Sequence, residues 1–314
     1  MSATPQHLAL RPPLVVLGPT ASGKSDVAMA FARETPGAEI VAVDAMQVYR
    51  RMDVGTAKPT PEDRAEVPHH GLDLVEPSRD FALPEFLAAV RHSIDDITAR
   101  GGLPVLVAGT GLYLRAITDP MDVPGTWPEI REVLEARVAS EGAPALHAAL
   151  ARVDPVAAAK MEPTNTRRIV RALEVCEGSG RPFSSFGPGI DTYPPIALHM
   201  IGLRWPRPRL AQRISERVHR MVDGGLVDEV AGLLHEPAGL SRTARQALGY
   251  KELIDHLDGR SSLDDAIERV ITRTRQFAVR QERWFRRDPR VGWIDVAEDP
   301  VAELLPILRD WRAR

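Results

Sequence analysis

The chain has a single cysteine, Cys176, so no disulfide can form within it and the disulfide-stapled class of small secreted domains is excluded. A reducing cytoplasm is the compartment this fits. Cys176 follows Ile169, Val170 and Leu173 at helical spacing, which predicts a small buried side chain rather than a nucleophile. No apolar run approaches the roughly 18 residues of a membrane-spanning helix, so no membrane partner is expected. Met1 to Pro13 lacks the basic-then-apolar order of a secretory signal and reads as a short disordered lead-in. Net charge is only −3 over 314 residues, which excludes a global electrostatic signature of nucleic-acid binding. Lysine is scarce: Lys24, Lys58, Lys160 and Lys251 are the only four among 40 basic residues. The rest are arginine, which grips phosphate with a planar fork. Neither an internal repeat nor a low-complexity tract is present.

What is there is a chain with 44% hydrophobic residues, enough for one large or two modest cores. Its most specific segment is Gly18-Pro19-Thr20-Ala21-Ser22-Gly23-Lys24-Ser25. It follows the apolar run Leu14–Leu17 and opens an amphipathic stretch, the strand–loop–helix context of a phosphate-binding P-loop. Gly18 and Gly23 let the backbone turn so that successive N–H groups face anionic oxygens. The helix N-terminus adds a positive dipole end. Lys24 supplies a point charge and the Ser25 hydroxyl a ligand for Mg2+. The loop by itself says that a di- or triphosphate sits here, not what is done with it.

The first 110 residues alternate apolar strand-like runs (14–17, 40–43, 105–108) with helical patterns (25–34, 84–100). That order predicts an α/β fold, a P-loop NTPase-like parallel sheet covered on both faces. Ligands collect beyond the carboxyl ends of such strands. Gly18, Asp44 and Thr110 each stand at one, so all three are expected to line one crevice. Residues 121–195 lose their strand signals, and helical patterns over 128–141, 143–153, 155–161 and 164–177 predict a helical insertion, with a Gly/Pro/Ser-rich return over 179–195. The core is therefore assigned to 14–120 and 196–314. Its later part is read as a strand over 196–203, helices over 209–222, 226–234, 251–257 and 263–287, a strand over 291–296 and a final helix over 301–312.

Positive charge is local. Between Arg204 and Arg220 six arginines face one acid, Glu216. Between Ile267 and Arg290 eight arginines face three acids, Glu268, Glu282 and Asp288. In the second stretch Arg269, Arg273, Arg280, Arg283 and Arg287 share one helical face beside an apolar face of Ile267, Val270, Ile271, Phe277, Trp284 and Phe285. Such a ridge either pairs with neighbouring acids or follows a nucleic-acid backbone. Adjacent His69 and His70 point apart on a strand or a helix and have no third ligand at suitable spacing, so a structural role is expected for them.

A carboxylate at a strand end beside a phosphate loop, as Asp44 is, binds a metal ion or accepts a proton. Here a resemblance enters. The P-loop, the run Asp44-Ala45-Met46-Gln47-Val48-Tyr49-Arg50 and the run Met52 to Pro59 resemble those of bacterial tRNA dimethylallyltransferases. So do Val67-Pro68-His69-His70, Gly109-Thr110-Gly111-Leu112-Tyr113, Arg168 to Glu174, Gln246 to Lys251, and Arg280-Gln281 with Trp284-Phe285-Arg286. The matches are ordered along nearly the whole chain.

That resemblance implies transfer of a dimethylallyl group from its diphosphate to N6 of the adenosine 3′ of the anticodon, position 37, in the anticodon stem-loop of tRNA. It implies a monomer, with Mg2+ as cofactor. Gly18 to Ser25 would hold the donor diphosphate, with Arg213 and Arg217 beside it and Mg2+ on Ser25. Asp44 would be the general base, with Thr110 at the acceptor adenosine and Lys24 neutralising the leaving group. Contacts to tRNA would come from Asp44, Ala45, Met46, Gln47, Thr110, Arg131, Arg167, Arg168, Ile169, Val170, Arg171, Gln246, Gly249, Tyr250, Lys251 and Arg280. Three positions depart from the usual family pattern: Ala45 stands for serine, Arg167 for glutamine and Ala108 for glycine. The absence of a Cys/His zinc module fits the bacterial form. A small-molecule kinase, an isopentenyltransferase acting on free adenine nucleotide, and a non-enzymatic tRNA-binding module with a vestigial P-loop are the rival readings of the same P-loop and carboxylate.

Overall fold

In the computed structural model residues 12–187 and 192–314 are described. Most of the expected lead-in, 1–11, and residues 188–191 of the expected return linker lie outside them. In chain order the elements are β1 (Leu14–Leu17), α1 (Lys24–Arg33), β2 (Ala38–Val43), α2 (Pro61–Glu66), β3 (His69–His70), α3 (Leu83–Ala99), β4 (Leu103–Ala108), α4 (Gly111–Thr118), α5 (Pro128–Glu141), α6 (Ala143–Val153), α7 (Pro155–Ala158) and α8 (Thr166–Ser179). Then come β5 (His199–Arg204), α9 (Arg207–Asp223), α10 (Leu226–His235), α11 (Tyr250–Leu257), α12 (Leu263–Phe285), β6 (Gly292–Asp295) and α13 (Pro300–Ala313).

The six strands form one sheet in the order β3-β2-β4-β1-β5-β6, and every pairing is parallel. All residues of β1, β2 and β4 are buried, as a parallel sheet with both faces covered requires, and apart from Glu39 of β2, whose carboxylate is paired with Arg100 and His70, their sequences are apolar. Register matters most for function. Leu17 and Val43 both lie opposite Ala108. Three neighbouring strands therefore end flush, and the next residues, Gly18, Asp44 and Gly109, emerge side by side at the carboxyl edge. Behind this edge Val27 and Phe31 of α1 join Val16, Val105, Leu203, Ile214, Ala278, Leu304 and Leu308 in one core.

The chain divides into two compact units: Met1–Phe81, Phe86–Thr118 and Pro195–Arg314 form one, and Ala82–Glu85 with Asp119–Pro194 form the other. Among its described residues the second unit holds no strand. Its core gathers Leu134, Leu146, Leu150, Ile169 and Leu173. Punctuation sets its helices. Pro128 opens α5, and Gly142, at φ 83°, separates it from α6. The Asp154 carboxylate caps α7 by accepting from the Ala157 N–H at 2.9 Å, and Asn165 caps α8. The helical pattern predicted to continue to Met161 stops at Ala158. The return strand begins at His199 rather than residue 196. Three elements have no usable periodicity in the sequence and go beyond its predictions: α2, the two-residue β3, and α4. On β3 the histidines do point apart: His69 Nδ1 lies 2.7 Å from the Val67 carbonyl and His70 Nε2 2.7 Å from Glu39.

Candidate active site

The phosphate loop is a strained turn held from behind. Ala21 sits at φ 61° and Gly23 at φ 89°; the first is uncommon outside glycine and the second is glycine's own territory. Carbonyl groups of the loop are drawn outward. Trp205 Nε1 donates to the Ser22 carbonyl at 2.9 Å, and Arg213 Nε donates to the Ala21 carbonyl at 2.9 Å. The Arg213 guanidinium lies 4.5 Å from the Trp205 ring centroid. In a planar trans peptide the N–H points opposite the carbonyl, so drawing the Ser22 carbonyl outward turns the Gly23 N–H inward. Helix α1 begins at once with no side-chain cap, leaving the N–H groups of its first turn without helical partners. These donors and the helix dipole form an anion cradle. Arg213 therefore braces the loop through the Ala21 carbonyl, and its Nη2 lies 3.6 Å from where a Cβ on Gly23 would sit.

Facing the cradle is Asp44. Its Oδ1 accepts from the Met46 N–H at 2.8 Å, which fixes the carboxyl plane and leaves Oδ2 to look elsewhere. A single point locates it. A Cβ added to Gly109 would lie 3.1 Å from Asp44 Oδ2, 3.5 Å from Lys24 Cε and 3.6 Å from Gln281 Nε2. The carboxylate, the P-loop lysine and a glutamine thus converge where a glycine leaves room. Thr110 stands next to them and its Oγ1 accepts from the Ala45 N–H at 3.2 Å. Gly18 to Ser25, Asp44 and Thr110 are brought to one crevice mouth, as the strand ends implied.

The cations here are not neutralised. Burial and then Arg217 push the Lys24 amine down to about 8, with Asp44 and Asp26 pulling the other way. Arg217 is likewise held below the usual arginine range by burial, against the pull of Asp44 and Asp26. Lys24 Nζ reaches the Pro19 carbonyl at 3.4 Å. Among the described residues neither cation makes an ion pair with a carboxylate. Two crowded cations beside an uncapped helix start are a site for an anion carrying more than one charge. Nearby, Tyr113 is pushed up to about 12 by burial, with smaller contributions from Tyr49 and Asp44. Its ring packs at 4.6 Å on Phe86, giving the mouth an apolar wall.

The segment that carries Ala45, Met46 and Gln47 is tied down by Glu229, which the sequence leaves unmarked, and by Lys58, Tyr250 and Gln47, which it places in motifs without this role. The Glu229 carboxylate accepts from the N–H groups of Asp53, Val54 and Gly55 at 2.7, 2.7 and 3.0 Å and from the Tyr250 hydroxyl at 2.5 Å. Lys58 donates to the Tyr49 carbonyl, Asp53 and Asp73 at 2.5, 2.7 and 2.6 Å. Gln47 Nε2 donates to the carbonyls of Thr56 and Ala57 at 3.0 and 3.2 Å. Tyr250, expected at tRNA, is wholly buried, so its side chain anchors this loop and cannot reach an RNA. Gln246 and Lys251 are exposed, and Gly249 is buried.

On α12 the predicted ridge splits. Arg273 is committed to the nearly buried Glu252 at 2.6 Å, and Arg269 to the Ser261 hydroxyl. Arg280, Arg283 and Arg287 are exposed. Val270, Ile271 and Phe285 form the buried side as expected. Between the two faces sits Gln281, 7% exposed. It belongs to one of the motifs that carry the resemblance, yet nothing in the sequence gives it a function; its contacts join the two loops of the site.

Within the helical unit, Glu174 is fully buried. It receives Arg131 at 2.5 Å, Arg171 at 2.9 Å and the Trp127 N–H at 2.9 Å. Arg131 and Arg171, expected at tRNA, are engaged inside this unit. Ile169 and Val170 are core residues, so RNA contact by their side chains is ruled out by burial. Arg167 and Arg168 remain exposed.

Comparison with known proteins identifies the family. Residues 47–288 match the family described as IPP transferase, and residues 14–68 match the family described as isopentenyl transferase. A tRNA dimethylallyltransferase of Kineococcus radiotolerans is 50% identical over 312 residues, covering 94% of this chain and 97% of the relative. That of Thermobifida fusca is 50% identical over 288 residues, covering 90% and 89%. The solved structure of the full-length tRNA isopentenylpyrophosphate transferase from Bacillus halodurans superposes with a TM-score of 0.68 at 38% identity, covering 96% of both chains. The chain belongs to the IPP transferase family.

Proposed function

We propose that the protein transfers a dimethylallyl group from dimethylallyl diphosphate to N6 of the adenosine 3′ of the anticodon, position 37, in tRNA. The observation that carries this reading is the convergence of Asp44 Oδ2, Lys24 and the phosphate loop around Gly109. It supplies a base and an anion clamp at one mouth.

The chemistry follows from the residues. An adenine amine is a poor nucleophile because its lone pair is delocalised into the ring. As it attacks the allylic carbon, Asp44 Oδ2 takes its proton, a contribution typical of general bases at about 10²–10⁴-fold. The allylic C–O bond breaks and its electron pair leaves with the diphosphate. Lys24, Arg217 and the first-turn N–H groups of α1 stabilise the charge that develops there, and such electrostatic stabilisation usually lowers a barrier more than any other effect. Ser25, exposed on that first turn, fits a magnesium ion held mainly by substrate oxygens and water, since Mg2+ uses one or two protein ligands in such sites. When bound, that ion shares the neutralisation of the leaving group. The base must leave its stack to reach Asp44, at a cost of a few kcal/mol; Arg280, Arg283 and Arg287 offer phosphate contacts that offset it. Among the described residues no helix is long and apolar enough to cross a membrane.

The test is incubation of purified protein with labelled dimethylallyl diphosphate and either unmodified tRNA or AMP. Label is expected in tRNA, at the anticodon loop. Label entering AMP alone would move the assignment to the isopentenyl transferase reading that the match over residues 14–68 keeps in view.

A further inference from the structure

We propose that Gln281 is a positioning residue, a spacer that sets the distance between the phosphate loop and the loop of Gly109 and Thr110; the inference rests on the reading above. Its carboxamide makes one bond to each side. Thr20 N–H donates to Oε1 at 2.9 Å, and Nε2 donates to the Gly109 carbonyl at 2.7 Å. The two partners demand opposite things of the amide, an acceptor toward Thr20 and a donor toward Gly109, so only one orientation satisfies both. An ionised glutamate of the same length offers acceptors only, so at neutral pH the amide alone supplies both on one terminal carbon.

The spacer is rigid because its helix is. Ala278 and Phe285, before and after it on α12, are buried. Trp284 lies against Gly111 so closely that a Cβ there would come within 2.0 Å of its Cδ1. One bonded end, Thr20, belongs to the cradle for the leaving group. The other, Gly109, adjoins Thr110, whose hydroxyl holds the Ala45 N–H directly after the proposed base. Gln281 thus works through Thr20 and Gly109, with no contact to a reacting atom required. Displacing one reacting partner by about 1 Å is enough to cost on the order of a hundredfold in rate.

The experiment compares full-length wild type with Gln281→Leu and Gln281→Glu, using dimethylallyl diphosphate and unmodified tRNA. Gln281→Leu removes both bonds at similar size. Its kcat is expected to fall about ten- to a hundredfold, while KM and Kd for tRNA stay within about threefold because the arginines of α12 are untouched. Hydrogen exchange at the Thr20 amide of the ligand-free protein should quicken. Gln281→Glu keeps the acceptor for Thr20 but sets a carboxylate against the Gly109 carbonyl. It should leave Thr20 protected and still lose kcat, and it serves if the leucine variant does not fold. Unchanged kcat in both variants, or a loss of kcat matched by an equal loss of tRNA binding, overturns the proposal. A wild type that transfers no label to tRNA counts against the proposed reaction, whereas unchanged exchange at Thr20 in Gln281→Leu counts against the spacer.

Discussion

Glu174, fully buried in the helical unit, and Lys24, half-buried in the α/β unit, are charged groups treated in opposite ways. Glu174 is fully buried and collects two guanidinium groups and a backbone N–H. Its charge is consumed, and the result joins α5 to α8 and the chain before them. Lys24 is crowded by a second cation, Arg217, and among the described residues no carboxylate reaches either within ion-pairing distance, so its proton is held loosely. Burying unpaired like charges is unfavourable, and proteins keep such arrangements where a ligand completes them. A cancelled buried charge builds structure, whereas an uncancelled one marks the place where substrate charge is wanted.

The contrast can be broken at several points. Asp44→Asn should reduce transfer by about 10²–10⁴-fold, with tRNA affinity within a few-fold in a filter-binding assay; a comparable loss of binding would make Asp44 a recognition group. Lys24→Ala should lower kcat by about 10²–10³, read in single-turnover assays. The wild-type donor affinity carries a signature of the same lysine. Only the protonated amine attracts a diphosphate, so KM for the donor should rise by about tenfold per pH unit once pH passes about 8, and the rise should vanish in Lys24→Ala. The triple change Arg280→Ala, Arg283→Ala, Arg287→Ala should weaken tRNA binding and flatten its salt dependence by up to about three counterions, leaving pyrophosphate affinity in calorimetry unaltered. Glu174→Ala should cost the helical unit about 1–3 kcal/mol, seen as faster limited proteolysis within 119–194, with pyrophosphate affinity again unaltered. A change in that affinity would mean that the paired site also serves the anion.

Much of this was legible because the signals were local. The phosphate loop reads from eight consecutive residues, and β1 and α1 follow from the apolar run before it and the periodicity after it. Pro128, Gly142 and Pro144 punctuate α5 and α6, and both helices fall at the predicted bounds. Asp44 and Thr110 were legible as strand-end residues because parallel strands deliver their C-termini to one edge. What stayed hidden depends on distant partners. Nothing in an amphipathic helix marks Gln281 apart from any other polar residue, since its meaning lies in Thr20, 261 positions away. Glu229 looks like an ordinary first-turn acid until the loop at 53–55 closes over it. Tyr250, Ile169 and Val170 sit within motifs beside exposed residues, and a motif does not say which of its members face inward.

The wall behind the phosphate loop comes from the far end of the chain. Pro300, at the start of α13, lies so near Gly23 that a Cβ there would fall 2.5 Å from its ring, and Trp205 and Gln281 hold two further loop residues. Trp205 follows its loop partner Ser22 by 183 residues and Gln281 follows Thr20 by 261, so during synthesis the loop is made well before its supports. A nascent chain therefore carries the complete P-loop motif long before it owns the wall that supports the loop.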